Sequence, residues 1–341
     1  MREGWAVGLR LDGELVAFAA ALPAALSVDG ARVDSVEVSF LCVHAEHRGR
    51  RLTSVVLGEL ARRVAASGVR HAVYTSSSQL PQAVGCARFH HRPLRPRRLL
   101  SSGFVEIEPV FAGLYAARFA TLRRTGTPGL RPLRAADVPE ATALVNRLHS
   151  GARLSRLFSP AELAHAALPR RGRMAAYVVV CPESGRLRGL VSFGLSVARP
   201  RGRRISWPWR LLPIGRPSVR AATLQLFAVE EGVDGAQLLA DVLVLAKGRG
   251  CDVLTALDTF QAGPLLRQLR FEEGDGRLRF HVYNYGLTGA TASALAPRDP
   301  RAVGGNAARG SRSSTSISSA AEGPRGSWTL QPTEIALLCS M

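Results

Sequence analysis

Apolar and polar positions recur along these 341 residues with two different periods, and each period predicts an element. Residues 5 to 10 and 14 to 22 read as strands joined at Leu11-Asp12-Gly13-Glu14, because an Asp-Gly pair between apolar stretches favours a hairpin turn. Residues 36 to 43 give the next strand. From Thr53 to Ala66 the period changes: Val55, Val56, Leu60 and Val64 recur at helical spacing, and Gly68 closes the helix. His71 to Thr75 returns to a short buried strand. The segment from Leu80-Pro81 to Arg95-Pro96 is punctuated by prolines and reads as irregular, with a short helix inside.

A second run of elements begins at Leu130-Arg131-Pro132. It comprises a helix over 138 to 149, strands over 175 to 181 and 187 to 197 around the turn 182 to 185, a helix over 236 to 248, a strand over 251 to 257 and a final strand over 277 to 285. The first run repeats this order from its hairpin onward but lacks the opening strand and helix. Three units follow: 1–125, 126–289 and a tail, 290–341. Residues 199 to 217, rich in Arg and Pro with Trp207 and Trp209, read as an exposed insert. Residues 290 to 332 are dominated by Ala, Gly, Ser and Arg and bury too little apolar surface to offset chain entropy, so disorder is expected there.

Composition narrows the picture only slightly. A 46% hydrophobic content supports a sizeable core. The formal charge of +19 suggests a polyanionic partner, yet of 45 basic residues only Lys247 is lysine, a skew that fits GC-rich coding, and the arginines are scattered. No nucleic-acid partner is expected. Cys42, Cys86, Cys181, Cys251 and Cys339 are odd in number and widely spaced, without metal-site spacing, so a reduced cytoplasmic setting and no metal are expected. No secretory h-region, membrane-length apolar run or prenylation pattern is present in the sequence.

Chemistry concentrates at Glu37-Val38-Ser39-Phe40-Leu41-Cys42-Val43-His44-Ala45-Glu46-His47-Arg48-Gly49-Arg50-Arg51-Leu52: an apolar strand, an arginine loop and a helix start. The first-turn N–H groups of a helix lack intrahelical acceptors and sit at the positive end of its dipole, so this layout suits an anionic cofactor. It resembles the acyl-CoA-binding core of GNAT-type acyltransferases, and the wording is similar to the Glu-Ile-Asn-Phe-Leu-Cys-Val-His-Lys motif of protein N-myristoyltransferases. Ala72-Val73-Tyr74-Thr75, Leu80-Pro81-Gln82-Ala83-Val84-Gly85, Arg88-Phe89-His90-His91-Arg92 and Gly274-Asp275-Gly276 resemble further motifs of that family in order and spacing. The resemblance runs from about Trp5 to Leu287.

The resemblance implies an α/β (α+β) fold of two GNAT-like halves, the first incomplete. It implies transfer of myristate from myristoyl-CoA to the amine of an N-terminal glycine. The backbone N–H groups of Phe40 and Leu41 would form the oxyanion hole, and Leu41, Cys42, Val43, Arg48, Gly49, Arg51, Leu52 and Thr53 would contact CoA. Ser39, Thr75, Phe89, His91 and Asp275 would meet the substrate peptide. From their apolar strand, the side chains of Phe40 and Leu41 read as core and Cys42 as a buried structural thiol. His44, His47, His71 and His281 receive structural readings only.

Ser39 replaces the motif's asparagine, Ala45 its lysine, and Arg270-Phe271-Glu272-Glu273 departs from Lys-Phe-Gly before Gly274. Family members carry a long segment before the point matching Trp5. Their C-terminal carboxylate, soon after a Tyr-Asn-Trp, takes the glycine proton. Here a long tail follows Tyr283-Asn284-Tyr285, so a displaced base is expected, with docking of Ile335-Ala336-Leu337-Leu338 as the alternative. The expected setting is a monomer with at most peripheral membrane or ribosome association. Two rivals remain: an impaired paralogue or fragment that binds glycine-initiated peptides without turnover, and a GNAT-type acetyltransferase.

Overall fold

A computed structural model describes residues 4–105, 107–120, 124–198, 218–284 and 335–336. Its centre is one mixed sheet. The hairpin strands β1 (Ala6–Leu11) and β2 (Glu14–Val28) turn at Asp12 and Gly13, both with positive φ, and β3 (Ala31–Val43) pairs antiparallel with β2. Helix α1 (Leu52–Ala66) buries Val56, Leu60 and Val64 against Trp5, Val7, Ala19 and Val36. Val55 shares their spacing but is exposed, so three of the four periodic positions face the core.

Strand β4 (His71–Ser76) is followed by β5 (Gly85–Pro93). The expected irregular stretch is thus largely strand. Its prolines lie outside β5 or at its last residue, where a missing N–H does least harm, and Pro96 opens helix α2 (Pro96–Ser102) at its first turn. The short helix therefore follows the segment instead of lying within it. Helix α3 (Ala112–Arg118) comes next.

The remaining described elements are β6 (Leu130–Pro132), α4 (Val138–His149), β7 (Leu154–Leu157), α5 (Pro160–Ala167), β8 (Met174–Val180), β9 (Leu187–Ala198), β10 (Val219–Val229), α6 (Gly235–Gly248), β11 (Val253–Leu257), α7 (Ala262–Gln268), β12 (Glu272–Tyr283) and β13 (Ile335–Ala336). Helix α5 starts at a capping box: the Ser159 hydroxyl accepts from the Glu162 N–H while the Glu162 carboxylate accepts from the Ser159 N–H. Strand order is β13-β7-β2-β3-β4-β12-β5-β11-β10-β9-β8-β6, with β1 also on β2.

Elements far apart in sequence interleave here: β12 sits between β4 and β5, β11 pairs with β5, and β7 pairs with β2. Strands β8, β9 and β10 are apolar on both faces. Tyr177, Phe193 and Ala222 pack under α6, whereas Val178, Leu190 and Leu226 pack under α4 and α5. Gly129 closes this region. Its φ is +69° and a Cβ would lie 2.0 Å from the Val180 carbonyl oxygen, so only glycine fits.

The insert at 199–217 and residues 285–334 lie outside the described residues. Ile335 and Ala336 do return, as β13, parallel to Leu154 and Ser155 of β7. Docking, which the sequence left as the alternative, thus applies to Ile335 and Ala336, which pair with an edge of β7.

His149, at the last turn of α4, is 5% exposed and lies edge-on to Phe260 with ring centroids 5.4 Å apart. Burial pushes its pKa down to about 4. An unfolded histidine titrates near ~6.5, so as pH falls below that value the unfolded chain takes up a proton that the folded chain refuses. Stability should be flat above about pH 7 and drop by up to ~3 kcal/mol between pH ~6.5 and ~4 from this group alone. Urea unfolding across this range should show the slope, and His149→Phe should flatten it; an unchanged slope in the variant would assign the loss to other groups.

Candidate active site

The end of β3 departs from regular pairing on both of its edges. Toward β2, Ser39 pairs with Ala20 and Cys42 with Phe18, so Phe40 and Leu41 together oppose Ala19 alone. This is a β-bulge, and such a bulge leaves the extra residue without a ladder partner. Phe40 holds φ +59°, a left-handed conformation unusual for an aromatic residue. Toward β4, pairing covers only Ser35–Glu37 against His71–Val73. From Val38 onward β3 therefore has no ladder with β4 among the described residues.

The side chains there are not core. Phe40 is 62% and Leu41 44% exposed, and Cys42 is an exposed free thiol. The apolar lettering had suggested burial, but the bulge turns this tip out of the packed part of the strand. The role expected of the Phe40 and Leu41 backbone N–H groups does not depend on those side chains.

A 3-10 turn over Ala45–His47 links β3 to the arginine loop. Arg48 Nε donates to the Val43 carbonyl at 3.3 Å, Gly49 has φ +81° and Arg51, the residue capping α1, has φ +59°. Arg51 makes no side-chain cap, and the first turn of α1 carries no acidic residue. The N–H groups of Leu52 and Thr53 consequently have no intrahelical acceptor, while Ser54 N–H turns back to Arg51 O at 3.1 Å. With Arg48, Arg50 and Arg51 exposed alongside, the loop has the donors and charge sign that a phosphate requires. Val43 sits between bulge and loop, so the predicted CoA-contacting residues form one continuous stretch.

The predicted peptide-contacting residues lie on the sheet face opposite α1. Glu37 is in register with Val73, Thr75 with Phe280, Ala87 with Leu278, Phe89 with Leu257 and His91 with Thr255, and Val73, Ala87 and Phe280 share one buried cluster on that face. Alternation places Ser39, Thr75, Phe89 and His91 on the same side of neighbouring strands. Asp275 joins them through a second bulge: Gly274, Asp275 and Gly276 together oppose Phe89, because Glu273 pairs with His90 and Arg277 with Arg88.

Gly274 is required at this bulge. A Cβ there would stand 2.6 Å from His91 Nε2 and 2.9 Å from the Phe89 carbonyl oxygen. His91 Nδ1 lies 3.0 Å from Thr255 Oγ1. Burial lowers the His91 pKa, the charge of His90 adds to this, and the exposed Asp275 carboxylate opposes it. The imidazole is thus biased toward its neutral form.

Two supports escaped the sequence reading. Glu37 of β3 and Arg156 of β7 form a buried ion pair at 2.6 Å, both 9% exposed, with Glu162 3.7 Å from Arg156. Glu37 lies two residues before Ser39, so this pair fixes the strand that carries the bulge. Arg92, 4% exposed, donates to the carbonyls of Leu269 and Pro93 at 2.8 Å, and burial pushes its pKa down to about 10. A lone Glu in an apolar strand was the available signal for the first; for Arg92 nothing in the local sequence distinguishes it from a solvated arginine.

A sheet that opens at a bulge, followed by an anion-ready helix start, defines an acyl-CoA N-acyltransferase architecture. A solved GCN5-related N-acetyltransferase from Anabaena variabilis shares this fold with a TM-score of 0.52 at 11% identity, covering 82% of this chain and 62% of that one, a likeness of fold alone. Residues 1–87 match the N-terminal domain of myristoyl-CoA:protein N-myristoyltransferase, and residues 112–198 and 218–303 match its C-terminal domain. The chain belongs to that family.

Glycylpeptide N-tetradecanoyltransferase 1 of Arabidopsis thaliana is 30% identical over 294 residues, covering 84% of this chain and 64% of the plant protein. A probable glycylpeptide N-tetradecanoyltransferase of Caenorhabditis elegans is 32% identical over 291 residues, covering 83% and 61%. The Saccharomyces cerevisiae N-myristoyltransferase solved with bound myristoyl-CoA gives a TM-score of 0.72 at 28% identity, covering 82% of this chain and 69% of the yeast chain. The chain thus spans about three-fifths of the length of these curated relatives.

Removing one partner of a buried ion pair strands the other charge. Arg156→Leu should therefore lower unfolding free energy by ~3 to 5 kcal/mol, whereas Arg153→Ala, which breaks an exposed pair with Asp29 at 2.8 Å, should change it by less than ~1 kcal/mol. Urea titrations of both variants check this; equal losses would contradict the structural role given to Glu37 and Arg156.

Proposed function

We propose that the chain is a protein N-myristoyltransferase, transferring myristate from myristoyl-CoA to the α-amine of an N-terminal glycine. The observation that carries this reading is the Phe40–Leu41 bulge placed immediately before the arginine loop and the uncapped start of α1. The bulge offers N–H donors to a thioester oxygen, and the loop offers charge to the phosphates of the same donor molecule.

In this mechanism the glycine ammonium first loses a proton, since only the neutral amine carries a lone pair. The amine then attacks the thioester carbonyl; a C–N bond forms and negative charge gathers on the carbonyl oxygen. The N–H groups of Phe40 and Leu41 donate to that oxygen, each such donor typically lowering a barrier by ~3 to 4 kcal/mol. Collapse breaks the C–S bond and releases CoA thiolate, which takes up the proton that the newly acylated nitrogen gives up. Arg48, Gly49, Arg51, Leu52 and Thr53 hold the CoA phosphates, while Leu41, Cys42 and Val43 line the path to the thioester. Ser39, Thr75, Phe89 and His91 line the peptide, and Asp275 attracts a basic residue within it.

On this reading the protein modifies other proteins with lipid, works as a cytoplasmic monomer, needs no metal and binds no nucleic acid. Its association with membranes or ribosomes is at most peripheral.

The defining experiment is an assay with myristoyl-CoA and a glycine-initiated peptide. N-terminal myristoylation is the expected outcome. Peptide binding without turnover would favour a non-catalytic groove protein, and turnover with acetyl-CoA but not myristoyl-CoA would favour an acetyltransferase. Arg51→Ala removes a charge-assisted contact usually worth ~1.5 to 3 kcal/mol, so calorimetry should show acyl-CoA affinity falling by about tenfold or more. Unchanged affinity would displace the phosphates from this loop. Asp275→Asn should narrow the discrimination between Lys-bearing and Ala-bearing peptides in kcat/KM; an equal effect on both would make Asp275 only a bulge residue.

A further inference from the structure

The 3-10 turn Pro109–Phe111 and α3 present Val110, Phe111 and Leu114 outward. Val110 is 79%, Phe111 51% and Leu114 72% exposed, and among the described residues Val110 and Leu114 are the two most exposed large apolar side chains. Three such residues within five positions form a contiguous patch, which soluble monomers seldom leave bare without a use.

The patch is held rigidly from behind. Tyr115 and Phe119 are turned away from solvent, at 8% and 1% exposure.

 The Tyr115 hydroxyl donates to the Glu272 carboxylate at 3.1 Å, and the Arg92 guanidinium lies over the Phe119 ring at 4.9 Å while donating to the Phe119 and Ala120 carbonyls at 3.4 Å. Arg270 donates to the Arg118 carbonyl at 3.2 Å. The outward face is thus fixed to β5 and β12.

Its surroundings are cationic. Arg118 and Arg270 are exposed beside it, and Arg97 is exposed on α2, which packs against α3. The exposed acid described next to the patch is Glu108, since Glu272 is engaged by Tyr115.

We infer that this patch is a docking surface for an anionic lipid bilayer: Val110, Phe111 and Leu114 enter the headgroup boundary while Arg97, Arg118 and Arg270 meet lipid phosphates and carboxylates. An apolar knob with exposed arginines on its own helix and on the elements packed against it matches such an interface in both apolar area and charge sign. A second copy of the chain fits less well, because a two-fold contact through this patch would set arginines against arginines. The inference stands independently of the transferase reading.

The test is co-sedimentation of the full chain with vesicles of phosphatidylcholine alone or of an equimolar mixture with phosphatidylserine. Binding is expected to the mixed vesicles, to weaken as salt rises, and to be much weaker with phosphatidylcholine. The triple variant Val110→Ser, Phe111→Ser, Leu114→Ser should bind mixed vesicles about tenfold less or weaker still, and Arg97→Gln about fivefold less. These side chains are exposed, so circular dichroism and the melting midpoint should stay unchanged. Equal binding by the parent and triple variant would overturn the inference, as would no binding to mixed vesicles. A dimer in sedimentation equilibrium that the triple variant abolishes, without vesicle binding by the parent, would assign the patch to self-association and overturn it too.

Discussion

The site depends on the parting of β3 from β4 after Glu37. Up to that residue the two strands are paired in parallel; beyond it β3 has β2 on one side, with a bulge, and no ladder on the other. A regular sheet would consume every N–H group at this point. Parting the strands removes the β4 ladder at the strand end, a few residues before the uncapped start of α1. In the proposed mechanism this one backbone departure supplies donors for a reacting carbonyl and leads directly to donors for phosphate.

Such an opening is costly unless the strand is held elsewhere. The buried Glu37–Arg156 pair fixes β3 to β7, and β7 is in turn paired to β2. On the far side β12 is clamped between β4 and β5, so residues of widely separated sequence share one rigid platform. The sheet face opposite α1 inherits that rigidity, which is why Ser39, Thr75, Phe89 and His91 can be placed by register alone. Burial keeps His91 biased toward neutrality even beside Asp275.

Much of this was legible in the sequence, and the failures have definite causes. The hairpin, α1, α4, α6 and the apolar strands declared themselves because one period governed each. β5 did not: His90, His91 and Arg92 read as polar, and their neighbours are β11 and β12, over 160 residues away in the chain for pairs such as His91 and Thr255. Gly274-Asp275-Gly276 looks like a turn but is a bulge inside β12, since its opposing strand is equally distant. The exposed Phe40, Leu41 and Cys42 reverse the usual meaning of apolar letters, because the bulge rather than the alternation sets their direction. Ile335 and Ala336 form β13 on a sheet edge that no local pattern announces.

The most direct test of this account is amide hydrogen exchange, read residue by residue, with and without a non-hydrolysable myristoyl-CoA analogue. The N–H groups of Phe40, Leu41, Leu52 and Thr53 should exchange freely in the chain alone and become protected together on binding, while α6 is unaffected. Binding of the analogue with no change at these four amides would contradict the account.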